Sequence, residues 1–380
     1  MKQILLIGAG KIGAMISELL AGQGGYEITV ADSQTNGFDQ LPKYPAIRSL
    51  QLDVYDHEAL SKALKGKYAV ISAGPYHLSA IIAEAALKHR CHYLDLTEDV
   101  ANTRLVKALA ENAETAFIPQ CGLAPGFISI ITHHLASQFD RLDNVHMRVG
   151  ALPTYPSNGL KYNLTWSTEG LLNEYSQACE AIVEGELKEV QPLDQLEHFS
   201  LDGINYEAFN TSGGLGTLCE TLHGKVRNLN YRTVRYPGHR DAMKLLLNDL
   251  RLKERRDLLK EIMEDALPIT LQDVVLVFVT VSGEINNRLV QETWTRKLYG
   301  QKIGDRFWSA IQTTTASSIC AMLDLLAEGR LPQKGLIRQE DTSFEDFINN
   351  RFGQVYLGCE KTLSQSPLPG ERLEAFRTQN

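Results

Sequence analysis

Residues 4–20, Ile-Leu-Leu-Ile-Gly8-Ala-Gly10-Lys-Ile-Gly13-Ala-Met-Ile-Ser-Glu-Leu-Leu, decide the reading of the fold. A branched apolar run, Ile4 to Ile7, stops at three glycines spaced G-x-G-x-x-G, and apolar residues then recur at Ile12, Met15, Ile16, Leu19 and Leu20. This is strand, tight turn, helix. Gly8 would allow the turn, Gly10 would let the backbone approach a pyrophosphate, and Gly13 would let helix and strand pack closely. Lys11 and Ile12 complete the turn, and the anion would sit at the positive end of the helix.

Glycine turns of this spacing are common in α/β proteins, so the context carries the argument. Tyr26 to Asp32 reads as a second strand, ending in an acid about 20 residues past Gly13, where a carboxylate can accept hydrogen bonds from a ribose 2′-hydroxyl. Ser33, Gln34 and Thr35 follow, with no cation to meet a 2′-phosphate. The expected cofactor is therefore NAD rather than NADP; the alternative for Asp32 is a surface acid closing a strand.

At 380 residues the chain has room for two domains. Its content, 43% hydrophobic and 22% charged, is that of a soluble globular protein. A net charge of -8 and the lack of a long basic run argue against nucleic acid as a partner. Apart from the N-terminus, the longest apolar stretch, Val274 to Val279, is far short of the roughly 20 residues that cross a bilayer. The six cysteines form no C-x-x-C pair and read as reduced thiols of a cytoplasmic enzyme. The histidines show no ligand spacing, so no metal is expected.

Strand and helix continue to alternate after Asp32: strand at 47–52, helix at 56–64, strand at 68–73. This rhythm predicts an α/β Rossmann domain with a doubly wound parallel sheet over residues 1–126. Asp53 follows its strand directly, as an adenine contact or equally as a helix cap. Ala73, Gly74 and Pro75 leave the next strand where the nicotinamide half of a dinucleotide would lie, and Tyr76 and His77 follow. Two later strands end in Asp95 and Cys121, candidates to converge on the same edge.

After residue 126 the rhythm changes. Helix at 127–137, strands at 144–152, 161–165, 274–282 and 291–299, and a helix at 307–328 predict an α+β domain on a mostly antiparallel sheet over residues 127–330. Residues 331–380 are more polar, with a short helix at 344–352; they return to the first domain or trail over the surface, and the tail after Ser364 reads as loose.

Five segments, G-A-G-K-I-G (8–13), V-I-S-A-G-P-Y (70–76), Y-L-D-L-T-E-D (93–99), C-G-L-A-P-G-F (121–127) and Y-R-T-V-R-Y-P-G-H (231–239), resemble the saccharopine dehydrogenase family, most of all its lysine 6-dehydrogenase-like members. The resemblance implies a Rossmann domain followed by a substrate-binding and dimerisation domain, a homodimer, and NAD-linked oxidation of a C–N bond on an amino acid. Saccharopine-forming members tend to carry Asp before the Pro of the G-L-x-P-G turn, where this protein has Ala124. That favours oxidative deamination of L-lysine over the alternative, a saccharopine- or carboxyspermidine-type secondary amine. A non-catalytic NAD-binding sensor is the reading from another class.

Amine oxidation requires a free nitrogen lone pair, so an ammonium with a reference pKa of about 10.4 must first lose its proton to a base. Asp95, Cys121 and His239 are the candidate catalytic residues, with Tyr76 and His77 beside them. Their structural alternatives are a cap, a small turn residue and an inert loop histidine. Arg235 is the candidate ligand for a substrate carboxylate, because a guanidinium grips both oxygens. Gly213 and Gly214 offer backbone N–H groups that would complete that pocket, or merely form a connection.

Overall fold

The computed structural model describes residues 1–358. The C-terminal remainder of the segment 331–380, including the tail after Ser364, lies outside the described residues. Strand β1 (Lys2–Ile7) buries Ile4 to Ile7 and turns at once into helix α1 (Lys11–Gln23). Then follow β2 (Tyr26–Asp32), β3 (Ile47–Gln51), α2 (His57–Leu64), β4 (Ala69–Ser72), α3 (Ser79–Lys88), β5 (His92–Asp95), α4 (Val100–Ala110) and β6 (Ala116–Ile118).

Helix α5 (Phe127–Ala136) leads into β7 (Arg141–Pro153), α6 (Thr168–Glu174), β8 (Cys179–Val183), β9 (Glu186–Val190), β10 (Glu197–Leu201), β11 (Ile204–Asn210), α7 (Leu218–Leu222) and β12 (Val226–Arg235). Helices α8 (His239–Lys244) and α9 (Arg256–Ala266) precede β13 (Asp273–Ile285), β14 (Arg288–Tyr299) and a small hairpin, β15 (Gln301–Ile303) with β16 (Arg306–Trp308). Helix α10 (Ala310–Ala327), strand β17 (Gly335–Leu336) and α11 (Phe344–Asn349) complete the described elements.

The first sheet runs β17-β6-β5-β4-β1-β2-β3, all parallel, so the strand order reverses direction between β1 and β4. That reversal opens a crevice at the carboxyl ends of the strands, where such sheets bind nucleotides. Helices α2, α3 and α4 bury one face. The other face is covered by α1 and, from far along the sequence, by α10. The second sheet runs β10-β11-β12-β7-β13-β14, antiparallel except for the β12–β7 pair, with β8 and β9 attached beside β12. Its core is continuous with that of the first sheet.

The Rossmann sheet and the mostly antiparallel second sheet match the expectation. Three details differ. The strand expected at 161–165 is a single bridge, Leu164 to Ile269, because these residues wrap a satellite core beneath α6 and α9 instead of joining the sheet. Helix α10 starts after Ser309, which forms a reciprocal cap with Gln312, and residues 306–308 belong to β16. Strands β8 to β12 were not expected: β9 and β10 are mostly polar and bury no residue, and β8, β11 and β12 mix polar with apolar residues and so lack a clean alternation.

Candidate active site

The crevice deepens into a cavity of about 790 Å³ that runs from the glycine turn to the second sheet. Gly8 has a φ of +112°, and a Cβ there would stand 2.6 Å from the Ala73 carbonyl oxygen. At Gly13 a Cβ would meet the Gly8 carbonyl oxygen at 1.9 Å, so helix and strand are packed to glycine distance. Around Gly10 there is open space: nothing lies within 4 Å of a Cβ built there. The first turn of α1 has no side-chain cap, which leaves its N–H groups aimed at the cavity beside Lys11 and Ile12. These features fit a dinucleotide pyrophosphate.

Asp32 reaches the cavity rim. Its carboxylate accepts from Ala9 N at 2.8 Å and Gln34 N at 2.9 Å, which fixes it on the rim at the end of β2. Ala73, Gly74 and Pro75 line the next part of the wall with Tyr76 and His77. Ser72 beside them holds a buried hydroxyl with no hydrogen-bond partner, a group free for a ligand. Asp53 is placed differently. It is exposed, stays off the cavity wall, and accepts from Tyr55 N at 3.0 Å, while Asp56 caps α2.

Alternation along β12 points Tyr231, Thr233 and Arg235 into the cavity, opposite the loop that follows β5. Arg235 is 3% exposed; its Nε donates to the Tyr175 hydroxyl at 2.9 Å and its Nη1 to the Val234 carbonyl at 2.8 Å. Facing it are two carboxyls that were not singled out from the sequence. Glu98 closes the segment Y-L-D-L-T-E, and burial pushes its pKa up to about 7. Glu174 ends α6; burial and then the Glu98 charge push it up to about 8, with Arg235 pulling the other way. Only Glu98 had a signal in the sequence, its place in a quoted segment. Glu174 reads as an ordinary surface-helix residue.

Three expected catalytic residues do not reach this cavity. Asp95 is fully buried behind the wall, where its carboxylate accepts from Thr97 N at 3.0 Å, Gln120 N at 2.8 Å and the Tyr93 hydroxyl at 2.7 Å. It ties together the loops after β5 and β6. Cys121 is equally buried; its thiol donates to the Ile118 carbonyl, accepts from Gln339, and is pushed well above its ordinary pKa by burial. His239 is enclosed between Leu160 and Tyr175. Asp95 ends β5 and Cys121 follows β6, at the expected edge of the sheet, but both side chains turn inward.

Gly213 and Gly214 lie outside the cavity too. A Cβ on Gly213 would meet the Glu98 carbonyl oxygen at 2.5 Å, and one on Gly214 would meet the Tyr231 ring at 2.2 Å. The glycine loop thus packs behind two cavity residues, Glu98 and Tyr231, and does not line the cavity itself. Among the described residues there is no cluster of three or more His, Cys, Asp or Glu side chains suited to a metal, and no helix long and apolar enough to cross a membrane.

Comparison with known proteins agrees with this geometry. Mitochondrial alpha-aminoadipic semialdehyde synthase of Bos taurus is 24% identical over 359 residues, covering 36% of that protein and 87% of this chain. Saccharopine dehydrogenase (NADP(+), L-glutamate-forming) of Saccharomyces cerevisiae is 24% identical over 277 residues, 59% of that protein and 67% of this chain. The match therefore spans little more than a third of the bovine protein's length.

Among solved structures, apo saccharopine dehydrogenase (L-Glu forming) from Saccharomyces cerevisiae gives a TM-score of 0.73 at 17% identity, covering 94% of that protein and 90% of this chain. Homospermidine synthase from Legionella pneumophila in complex with NAD gives 0.69 at 13% identity, covering 90% of that protein and 94% of this chain. These two likenesses show a shared fold. The family models for the saccharopine dehydrogenase NADP binding domain and C-terminal domain match residues 4–117 and 122–353 in tandem. With a dinucleotide-type crevice opening onto a buried arginine, the buried Glu174 and the half-buried Glu98, the protein belongs to the saccharopine dehydrogenase family.

Proposed function

We propose that the protein is an NAD-dependent dehydrogenase that oxidises a C–N bond in the side chain of an amino acid, with L-lysine as substrate and its 6-semialdehyde as product. The observation that carries this reading is the charge of the substrate end of the cavity: one buried Arg235 against Glu98 and Glu174. Lysine bears one carboxylate and two ammonium groups, which this set matches. A saccharopine-type conjugate bears three carboxylates. Two further cations near this end, Arg256 and Lys260, lie 2.9 and 3.9 Å from the Glu169 carboxylate.

Arg235 would hold the α-carboxylate. Glu98 and Glu174, titrating near neutrality, are suited to receive a proton from the substrate ammonium and later from the water that attacks the iminium carbon. Bound NAD would supply the hydride acceptor, held by the glycine turn, Asp32 and the loop at 73–75. Trp166 and Tyr231 add aromatic wall to the same chamber.

Purified protein with NAD and L-lysine is expected to show the near-ultraviolet absorbance of reduced nicotinamide. The names of the relatives support a second reading, oxidation of a secondary amine. A rise with saccharopine and none with lysine would transfer the assignment there. Silence across lysine, ornithine, saccharopine and polyamines, with NAD still bound, would leave a non-catalytic NAD-binding protein.

The cofactor preference has its own test. The yeast relative is named for NADP(+), yet an acid at the end of β2 on the cavity rim, Asp32, supports NAD, because its charge would repel a 2′-phosphate. The native protein is expected to prefer NAD by about tenfold or more, and Asp32→Ala to erode that preference, as read from KM for each cofactor; equal use by the native protein would remove Asp32 from this role.

A further inference from the structure

Behind Arg235 stands a series of hydrogen bonds that ends outside the cavity. Arg235 Nε donates to the Tyr175 hydroxyl at 2.9 Å. Tyr175 and His239 Nε2 lie 3.1 Å apart, and His239 Nδ1 is 2.8 Å from the Leu160 carbonyl oxygen. The Leu160 oxygen can only accept, so Nδ1 carries the proton and Nε2 accepts from Tyr175. Every bond therefore has one direction, from guanidinium to phenol to imidazole to backbone. All three side chains are buried, with His239 at 0% exposure.

The histidine is itself held from both sides. Glu207 accepts from Gly238 N at 2.8 Å and Arg240 N at 2.7 Å, which pins the turn that bears it. The Phe209 ring lies nearly parallel to the imidazole, at 13°, and Tyr162 packs against it. Burial, and then the Arg235 charge, push His239 down to about 3, so the ring stays neutral and remains an acceptor.

We propose that His239 is a positioning residue for substrate binding: through Tyr175 it fixes the Arg235 guanidinium in the orientation that grips the substrate carboxylate. This rests on the reading of Arg235 given above. A guanidinium with its Nε and Nη1 both engaged has its plane set, and its remaining edge can meet a carboxylate without first losing rotational freedom. Loss of the imidazole leaves the phenol free to swing away from Nε.

The test uses two ligands that differ by the carboxylate alone, L-lysine and 1,5-diaminopentane. Binding to the protein–NADH complex is read by titration calorimetry, together with KM and kcat where turnover occurs. His239→Phe and Tyr175→Phe are each expected to weaken L-lysine roughly tenfold, with kcat falling less than KM rises. Neither should alter the affinity for 1,5-diaminopentane or NADH. His239→Gln, which keeps an acceptor for Tyr175, should restore most of the loss. The double variant should be no worse than Tyr175→Phe, because both changes cut one relay.

If His239→Phe leaves L-lysine affinity intact while Arg235→Ala destroys it, the relay is overturned and the carboxylate reading survives. Equal weakening of both ligands would overturn it too, by showing a merely structural role. If Arg235→Ala itself does not affect L-lysine, the carboxylate reading fails and the relay with it. Should His239→Phe not fold, Tyr175→Phe carries the same comparison.

Discussion

Replacing Arg235 with Ala is expected to raise KM for an amino acid substrate by about ten- to a hundredfold while leaving NAD affinity unchanged. The size follows from burial. Arg235 is 3% exposed, so a carboxylate that pairs with it is shielded from water, and a charge-assisted pair there outweighs an exposed one. The same change should move the pH dependence. Arg235 holds the Glu174 carboxyl below where burial and the Glu98 charge together would put it, so its removal lets that carboxyl rise further. The rising limb of kcat/KM against pH should then shift to higher pH. Arg235→Lys is expected to recover little, because an ammonium cannot donate to Tyr175 and grip two carboxylate oxygens at once. An unchanged KM in Arg235→Ala would sink the assignment.

Glu174→Gln is expected to produce a protein that is more stable at pH 8 and far less active. In the folded protein burial raises the Glu174 carboxyl from 4.5 to about 8. Between those values the folded state keeps a proton that the unfolded state has released, so stability falls as pH rises through that window. Below about pH 4.5 the full contribution is present; above about pH 8 it is gone, at a cost on the order of a few kcal/mol. Glutamine has the same shape and never ionises. Thermal melting of the ligand-free protein should therefore coincide for both forms near pH 5 and diverge by pH 8, with the variant higher. Turnover should drop by about a hundredfold or more if the carboxylate takes the substrate's proton. Identical melting curves across this range would show that Glu174 is not the strained acid described above.

The parts of the site that could be read from the sequence are those set by backbone geometry. Gly8 and Gly13 are required by approaches of 2.6 and 1.9 Å that no Cβ could survive, so spacing alone exposes them. Asp32 ends its strand at a fixed distance from that turn. Arg235 stood out as a guanidinium, able to grip both oxygens of a carboxylate, within the segment Y-R-T-V-R-Y-P-G-H. Side-chain direction is harder. Asp95 and Cys121 occupy the strand ends where site residues are sought, yet Asp95 spends its oxygens on the backbone of neighbouring loops and Cys121 turns toward Ile118. Glu174 was invisible for the opposite reason: it lies in a short polar helix, and only the fold brings that helix over Tyr231 and Arg235. Gly213 and Gly214 were given a ligand-binding role because a glycine-rich loop looks alike whether it faces an anion or the back of Glu98 and Tyr231.

The pairing of β17 with β6 bears on how the molecule is made. The outer edge of the nucleotide-binding sheet is completed by Gly335 and Leu336. Just beyond them, Gln339 donates to the Pro119 carbonyl at 2.8 Å, and Glu340 accepts from Thr217 at 2.8 Å. On the ribosome, β6 emerges with that edge bare and waits roughly 200 residues for its neighbour, on the order of 10 to 40 s at ordinary elongation rates. A bare strand is an invitation to the wrong partner for as long as it persists. A piece cut at residue 126 would lack β17 and leave the edge of β6 bare, so the nucleotide-binding sheet is complete only when the polypeptide that left it returns.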